Sequence, residues 1–440
     1  MFVLPTLRRR QILVADLVST AVFPLAITGS TGAIPAVAAA LRGPGSLAPW
    51  IVTGYNGAFA ATLLLAGAFA DRSSRSRFFA AGNLLVAVTG LLSALAPNLA
   101  VLVGLRTLAG VGAAMCAAGG SSLVLSVYRG EERTRVYGLV GTVLGCATAA
   151  GPVATQALLA VVGWQAVFVG PAIVAAVAAA FTVGLPSLRT NESDGSFDLA
   201  GALLFGAAIA TLVTGLGLGP RPFGLWWPPL AFGAVAVVTV AALTVVERRA
   251  ARPVIPFDVL RVPAFRAYAY ATGALMGVFV VSLTVLPQIA VAGRMSRWGQ
   301  TTMLVLLTAP SVALPVLGAR IARRWARALV MAALALCGLT GILLVPAHSQ
   351  RSLLAGALVF GLCVGITEGV PDGQALRDVR HQSGGAAAAM FSTARMTLET
   401  LVLAAATGIM TAYGPRWSLV VPALVCVGGA VLLARTPIRR

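Results

Sequence analysis

The stretch GAFADRSSRSR, residues 67–77, places one acid and three arginines between two long apolar runs. So dense a group of charges is unusual here, because the chain of 440 residues is 58% hydrophobic and only 10% charged. A soluble domain carries roughly 25% charged residues. Lipid is therefore the expected surrounding of most of this chain, and the stretch is predicted to be a turn that joins two membrane-spanning helices.

Apolar runs as long as a membrane helix recur along the whole sequence. A spanning helix needs about 20 apolar residues, and lipid cannot satisfy open backbone groups, so closed helices are expected throughout. The breaks at charges, prolines and glycines predict an all-α polytopic membrane protein with fourteen transmembrane helices. These helices are predicted over residues 11–41, 49–70, 78–96, 98–127, 135–161, 163–185, 198–218, 225–246, 264–292, 299–319, 328–346, 351–370, 384–411 and 417–434.

The arginines predict the orientation of these helices. An even number of spans places both termini on one side, and that side carries 24 arginines against 6 on the other. Because positive residues are enriched in cytoplasmic loops, both termini and the stretch 67–77 are predicted to face the cytoplasm of a cell with the chain in its inner (plasma) membrane. The same clusters account for the net charge of +19 without nucleic acid as a partner.

Residues that would indicate catalysis or metal binding do not cluster in this sequence. The five cysteines all fall in apolar runs without a CxxC pair, and the two histidines, His348 and His381, lie in predicted loops. No phosphate-binding loop or catalytic triad pattern is present. We therefore expect no cofactor, no metal ion and no enzymatic activity, since a membrane-embedded enzyme would need clustered His, Asp or Ser side chains in its spans.

The stretch 67–77 resembles the loop between the second and third helices of the major facilitator superfamily. The residues that fit the motif of this family are Gly67, Asp71, Arg72, Arg75 and Arg77. Ser74 stands where the motif usually has glycine. The resemblance implies a gating role, in which Asp71 caps the next segment or binds an arginine across a helix joint. The alternative is that these charges only anchor the topology.

Two further stretches resemble motifs of the same family. LRTLAGVGAA, residues 105–114, is similar to the fourth-helix motif with an arginine inside the membrane, which is Arg106 here. GLVGTVLGCATAAGPVATQ, residues 138–156, is similar to the fifth-helix motif of antiporters, with Thr155 among the residues that replace expected glycines. The residues that fit are Gly138, Gly151 and Pro152. The resemblance implies export and close helix packing that blocks proton leak; ordinary small-residue packing is the alternative.

The second half of the chain echoes the first. GARIARRWAR, residues 318–327, repeats the pattern of residues 67–77 with Ala322 in place of Asp71, as two related six-helix halves would. ITGSTGAIP, residues 27–35, resembles the first helix of the fourteen-helix drug:proton antiporters, although Ala26 stands at its acidic position. The predicted division is an N-terminal six-helix bundle over residues 1–185, two extra helices with their linkers over 186–263, and a C-terminal six-helix bundle over 264–440.

Five charged residues within the predicted spans are the candidates for proton coupling: Asp16, Arg106, Glu368, Arg395 and Glu399. A charge at the bilayer centre costs about 2.5–3.5 kcal/mol on insertion scales, so idle ones are rare. We expect Arg106 to be the fixed positive partner and Asp16 or Glu399 to be the acid that takes up the proton. The alternatives are a static ion pair between Arg395 and Glu399, which are four residues apart on one helix face, and a surface position for Asp16.

Polar and aromatic residues near the middle of spans are expected to line a substrate cavity: Tyr55, Asn56, Phe59, Phe279 and Gln288. The predicted function is secondary active transport, as a proton-coupled exporter of amphipathic drug-like compounds or of a secondary metabolite. The alternatives are proton-coupled uptake, lipid transport, or a transporter-like membrane sensor. The expected partners are a small-molecule substrate, protons and membrane lipid, and the protein is expected to be a monomer.

Single-cysteine labelling in intact cells tests the predicted orientation. In a chain whose five native cysteines are replaced with alanine, the substitutions Ser73→Cys and Ser349→Cys fall in loops predicted on opposite sides of the membrane. We expect a membrane-impermeant maleimide to label Ser349→Cys in intact cells and Ser73→Cys only after the cells are opened, because the arginine-rich loop lies inside. Equal labelling of the two variants in intact cells contradicts this orientation.

Overall fold

The computed structural model describes residues 5–128, 130–186, 198–219, 227–249, 257–377 and 384–437. Within these ranges the chain forms helices and turns without a strand, and each of the fourteen predicted segments contains a helix, so the all-α prediction is confirmed. The α-helices are α1 Thr6–Ala40, α2 Trp50–Arg72, α3 Arg75–Ala94, α4 Leu99–Val127, α5 Gly130–Val161, α6 Gln165–Ala180, α7 Leu199–Leu218, α8 Trp227–Arg249, α9 Phe257–Leu260, α10 Pro263–Ala292, α11 Arg297–Thr308, α12 Pro310–Ala313, α13 Pro315–Leu344, α14 Gln350–Thr367, α15 Val370–Arg377, α16 Gly384–Tyr413 and α17 Val420–Arg435.

Twelve helices in the described part of the chain are long and apolar enough to cross a membrane. Two predicted spans are shorter than expected. The segment predicted over residues 163–185 is helical only over the 16 residues of α6. The segment predicted over residues 299–319 gives the 12-residue α11, which ends just before Pro310, because proline lacks the N–H that would continue the helix.

The stretch 67–77 is the joint between α2 and α3, as the sequence predicts. The helix is interrupted at Ser73 and Ser74, and Ser74 has a φ of −66°. That angle is ordinary for any L-residue, so serine replaces the glycine of the motif without strain. In the second copy of the pattern, the helical angles of α13 are interrupted at Trp325, with a φ of −129°. Ser74 and Trp325 each follow the first glycine of their pattern by seven residues, so both copies break at the same place.

The contacts divide the chain into two compact units, residues 1–210 and 211–440. In the first unit α4 packs against α2 and α3, while α1 packs against α5 and α6. In the second unit α10 packs against α16 and α17, and α13 packs against α14 and α17. The three-part division predicted from the sequence stays a prediction.

Gly110 allows the closest approach of α2 and α4 in the first unit. A Cβ atom at this position would collide with the backbone carbonyl of Tyr55, whereas a Cβ at Gly104, on the exposed side of the same helix, would meet no atom within 4 Å. A backbone atom cannot rotate away as a side chain can. The distance between α2 and α4 at Tyr55 therefore depends on a residue without a side chain at position 110.

The pair of substitutions Gly110→Ala and Gly104→Ala tests this contact. We expect Gly110→Ala to lower the stability by about 1–3 kcal/mol, because the added methyl group forces the two backbones apart. Gly104→Ala, the matched control, is expected to leave the stability unchanged or raise it by up to about 1 kcal/mol through helix propensity. Thermal unfolding of the two purified variants in one detergent measures both effects, and equal melting temperatures contradict the proposed contact.

Candidate functional site

Arg106 is buried in the first unit, and no acid among the residues that the structure describes forms an ion pair with it. Its Nη2 donates a hydrogen bond of 3.1 Å to the carbonyl of Ala26 in α1. The guanidinium carbon lies 4.4 Å from the ring centroid of Tyr55 in α2 and 5.7 Å from that of Phe168 in α6. The side chain is only 4% exposed. The faces of two aromatic rings and one carbonyl therefore surround this cation, as in cation–π interactions.

An aromatic cluster extends from this guanidinium group. The ring of Phe23 in α1 lies 6.2 Å from the ring of Tyr55 and 5.0 Å from that of Phe59. The structure thus places Tyr55 and Phe59, two predicted lining residues, near Arg106. Sequence reasoning missed Phe23 and Phe168, because aromatic residues are common in spans and nothing in their spacing shows which helix they face.

Three buried polar atoms of this region have no hydrogen-bond partner within the described residues: the hydroxyl of Tyr55, Nδ2 of Asn56 and Nε of Arg106. Tyr55 is 0% exposed and Asn56 is 4% exposed. Nδ2 and Nε are donors only, and the phenol can donate or accept. The arrangement can therefore bind a group that brings acceptor oxygens into an aromatic environment.

Asp16 lies in α1 against a different part of α4. Its carboxylate is buried and occupies the space beside Gly120, where a Cβ atom would collide with it. Ser19, one turn further along α1, donates a 2.8 Å hydrogen bond to Oδ1 of Asn83 in α3. Nδ2 of Asn83 donates in turn to the carbonyl of Phe79 at 3.0 Å. Asn83 is a functional candidate that sequence reasoning missed, although an isolated amide in an apolar span was a usable signal.

The structure does not bring Asp16 and Arg106 together. Arg106 binds the carbonyl of Ala26, which is ten residues from Asp16 on α1, or about 15 Å along the helix axis. No ion pair involves Asp16 among the residues that the structure describes. The two side chains therefore occupy separate places in the first unit, and the assignment of Arg106 as the fixed positive partner and of Asp16 or Glu399 as the acid that takes up the proton stays a prediction.

The fifth-helix motif forms a close contact with α1. A Cβ atom at Gly151 would collide with the hydroxyl of Thr28, and the next residue is the helix-bending Pro152. Thr155 of α5, which replaces a glycine of the motif, lies instead against Gly29 of α1. The glycine of this pair is therefore on α1 and not on α5, and the two helices still make a close contact. Gly138 lies outside the part of α5 that is described at side-chain level.

The hydroxyl groups of the α2–α3 joint hold its backbone. Ser73 donates to the carbonyl of Phe69 at 2.6 Å, and Ser76 donates to the carbonyl of Pro186 at 2.9 Å. Among the residues predicted to gate, Arg72 and Arg77 are exposed and Arg75 is half-buried, and a Cβ atom at Gly67 would meet no atom within 4 Å. The side chain of Asp71 lies outside the described residues, so the gating role stays a prediction.

Four charged residues of the second unit form a cluster, which consists of Arg395 in α16 and three acids near it. Its positive charge acts on Glu399 in the same helix, on Asp372 in the first turn of α15 and on Glu368, two residues before α15. Among the described residues, none of the three carboxylates lies within 4.0 Å of Arg395 as an ion pair. Oδ1 of Asp372 is buried and has no hydrogen-bond partner in the described part of the chain. The cluster is therefore a loose group with more acids than bases.

The two lining residues predicted in the second unit both lie in α10. Phe279 is buried, and the amide of Gln288 donates a 2.9 Å hydrogen bond to the carbonyl of Thr284 in its own helix. A cavity of about 560 Å³ in this unit lies elsewhere, between residues 211–219, residues 229–233 and the helices α16 and α17. It is lined by apolar and small residues, and neither predicted lining residue reaches it.

The fold and the motif contacts agree with a comparison to known families. The family model of the Major Facilitator Superfamily matches residues 17–398. The chain belongs to the Major Facilitator Superfamily. Its membership confirms the resemblance that the motifs at residues 67–77, 105–114 and 138–156 indicate, and makes the chain a multi-pass membrane protein of a transporter family.

Relatives within this superfamily include proteins of antibiotic resistance. The chain is 31% identical over 218 residues to the methylenomycin A resistance protein of Streptomyces coelicolor, covering 49% of this chain and 46% of that protein. It is 33% identical over 218 residues to the tetracenomycin C resistance and export protein of Streptomyces glaucescens, covering 48% and 40%. A longer match, 28% identical over 388 residues, covers 84% of this chain and 80% of the methylenomycin A resistance protein of Bacillus subtilis. The match thus spans less than half of each Streptomyces protein.

A double-mutant cycle tests the charged cluster of the second unit. We expect Arg395→Gln to destabilise the protein, because one buried and two half-buried acids lose the cation that offsets their charges. In a Glu399→Gln background the same substitution is expected to cost less, with a coupling energy of about 0.5–3 kcal/mol. Arg351→Gln, which removes an exposed arginine, is the control and is expected to be additive with Glu399→Gln. Unfolding in detergent measures the cycle, and additivity of Arg395→Gln with Glu399→Gln contradicts the coupling.

Proposed function

We propose that this protein is a proton-coupled secondary transporter that exports amphipathic small molecules. The observation that carries the proposal is Asp16, a carboxylate buried in α1 with no ion pair among the described residues. Burial penalises the charged form of a carboxylate, and a nearby cation would favour it. A buried acid without a cation changes its charge readily when water reaches it, which is the property that a proton carrier needs.

The energy for export would come from the proton gradient. One charge that crosses the membrane contributes about 2.3 kcal/mol per 100 mV of potential, before any pH difference is added. Asp16 would take up a proton from the outside and release that proton to the inside. The conformational change would then proceed with a neutral side chain in the membrane. Glu399 of the second unit, buried and influenced by Arg395, is the second candidate for the same step.

The substrate would bind at the aromatic cluster of the first unit. Arg106, Tyr55 and Phe59 supply ring faces and a fixed charge within one region. The relative from Streptomyces glaucescens is a tetracenomycin C resistance and export protein, which supports this direction of transport. The contact of Gly151 with Thr28 would hold α1 and α5 together during the cycle. The α2–α3 joint would act as the gate. This assignment makes the protein a transporter and not an enzyme.

The proposal also includes the arrangement of the chain. The N-terminal bundle, the two extra helices and the C-terminal bundle would keep the limits 1–185, 186–263 and 264–440. The excess of arginine on one side supports an orientation with both termini in the cytoplasm of a bacterial cell and the protein in the plasma membrane. We propose a monomer that exposes its site to each side of the membrane in turn.

Resistance of an efflux-deficient bacterial host tests the function. We expect expression of the protein to raise the inhibitory concentration of methylenomycin A or tetracenomycin C by about tenfold, within the roughly 50-fold gradient that one charge at about 100 mV supports. A protonophore at a sublethal dose is expected to abolish the effect. The substitutions Asp16→Asn, Glu399→Gln and Arg106→Ala are each expected to remove most of the resistance at unchanged amounts of protein in the membrane.

The matched control for the removal of an acid is Glu132→Gln. Glu132 is exposed and forms a 2.6 Å ion pair with Arg9 at the end of the helices, so its loss is expected to leave export intact. If Asp16→Asn, Glu399→Gln and Arg106→Ala all keep full protonophore-sensitive resistance, these three residues are excluded from the mechanism. Substrate-dependent proton release from reconstituted protein without any counterflow of substrate would indicate a sensor in place of a transporter.

A further inference from the structure

We infer that the Arg106 region of the first unit selects substrates that carry a negatively charged oxygen group on a planar conjugated body, such as an aromatic carboxylate or an enolate. The inference rests on the proposed function and names its substrate class. Three features carry it: buried donors without partners, a cation without an acid, and aromatic rings on several sides of that cation.

The unpartnered atoms define the polar half of this ligand. A buried donor without an acceptor is costly, and native structures rarely keep one unless a ligand or water binds it. Nδ2 of Asn56 and Nε of Arg106 are such donors, and the hydroxyl of Tyr55 is a third group without a partner among the described residues. Tyr55 and Asn56 are adjacent in α2, and Arg106 stacks on Tyr55. The inferred oxygen group would accept hydrogen bonds from Nε of Arg106 and from the hydroxyl of Tyr55, with Nδ2 of the neighbouring Asn56 as a further donor.

The charge of the region defines the sign of the ligand. Arg106 has the carbonyl of Ala26 as its hydrogen-bond partner, and no acid forms an ion pair with it within the described residues. Asp16 is displaced along α1 by about 15 Å. A cationic substrate would be repelled by the guanidinium group, whereas an anionic one would supply the charge that the protein does not. Charge-assisted hydrogen bonds from arginine to such oxygens are also stronger than neutral ones.

The rings define the apolar half of the ligand. Phe168 in α6 faces the guanidinium group of Arg106, Phe23 in α1 lies against the ring of Tyr55, and Phe59 in α2 lies against Phe23. Flat rings offer faces and edges on which a conjugated ligand can stack. Export of an anion also agrees with proton entry, since a potential that is negative inside drives both movements in the required direction.

Binding to the full-length protein in lipid nanodiscs tests the inference without any need for transport. The probes are 1-naphthoate, 1-naphthylmethanol and 1-naphthylmethylammonium, which share one ring system and differ in charge. By isothermal titration calorimetry at neutral pH we expect the carboxylate to bind about tenfold or more tightly than the ammonium compound. Tyr55→Phe and Asn56→Leu are each expected to weaken the carboxylate by about tenfold and to leave the affinity for the alcohol unchanged. Arg106→Gln is expected to remove the preference between carboxylate and ammonium.

A second arginine–tyrosine pair of the same unit gives matched controls. Arg9 stacks on Tyr128 with 4.9 Å between the guanidinium carbon and the ring centroid, but the Tyr128 hydroxyl is already bonded to the carbonyl of Arg9. Arg9→Gln and Tyr128→Phe are therefore expected to keep the preference for the carboxylate. Loss of the preference in these controls, no binding of 1-naphthoate to the unchanged protein, or equal or tighter binding of the ammonium compound overturns the inference.

The two proposals fail separately. A protein that confers protonophore-sensitive resistance but does not prefer 1-naphthoate contradicts the substrate class alone. A protein that prefers 1-naphthoate through Tyr55, Asn56 and Arg106 but gives no proton-dependent resistance contradicts the transport function alone.

Discussion

The first unit depends on how it accommodates one permanent cation in a region surrounded by hydrocarbon. Arginine cannot be neutralised by losing its proton as a buried lysine can, so Arg106 must obtain its stabilisation from the protein. The carbonyl of Ala26 and the ring faces of Tyr55 and Phe168 provide it. These groups come from α1, α2 and α6, so one side chain of α4 fixes the positions of three other helices. The same rings that stabilise the cation form the surface on which an apolar ligand can bind.

Close backbone contact is what brings those groups within reach. Tyr55 can lie over Arg106 because Gly110, one turn further along α4, allows the α2 backbone to approach. At the other side of α1, Thr28 faces Gly151 and Gly29 faces Thr155. A helix pair needs one small residue at each contact, and either helix can supply it. A motif that specifies glycines on one helix therefore describes only one side of the helix contact. Thr155 in α5 is compatible with close packing because the glycine opposite it lies on α1.

The positions of the helices could be predicted from the sequence, but which helices pack against one another could not. Hydropathy predicted fourteen segments that are helical in the structure, because the length of a span and the breaks at charges are local properties. Pro310 was also a local signal that α11 should end, although the sequence-based prediction extended this helix across the proline. The partners of Arg106 were not predictable, because spacing along one helix does not show which helix lies opposite. For the same reason the sequence could not show that Asp16 lies beside Gly120 and apart from Arg106.

The separation of Asp16 from Arg106 has a consequence for coupling. An arginine in contact with the acid would hold it in its charged form, and such a pair would be stable but insensitive to the proton gradient. Because the guanidinium group lies against the carbonyl of Ala26 and aromatic rings, and apart from Asp16, the proposed mechanism would let Asp16 respond to water at its own position beside Gly120. Both side chains belong to contacts of α1 with α4, so movement between these two helices would change both environments together. Under the proposed function, proton binding and substrate binding would be linked by this shared helix contact, without a direct bond between Asp16 and Arg106.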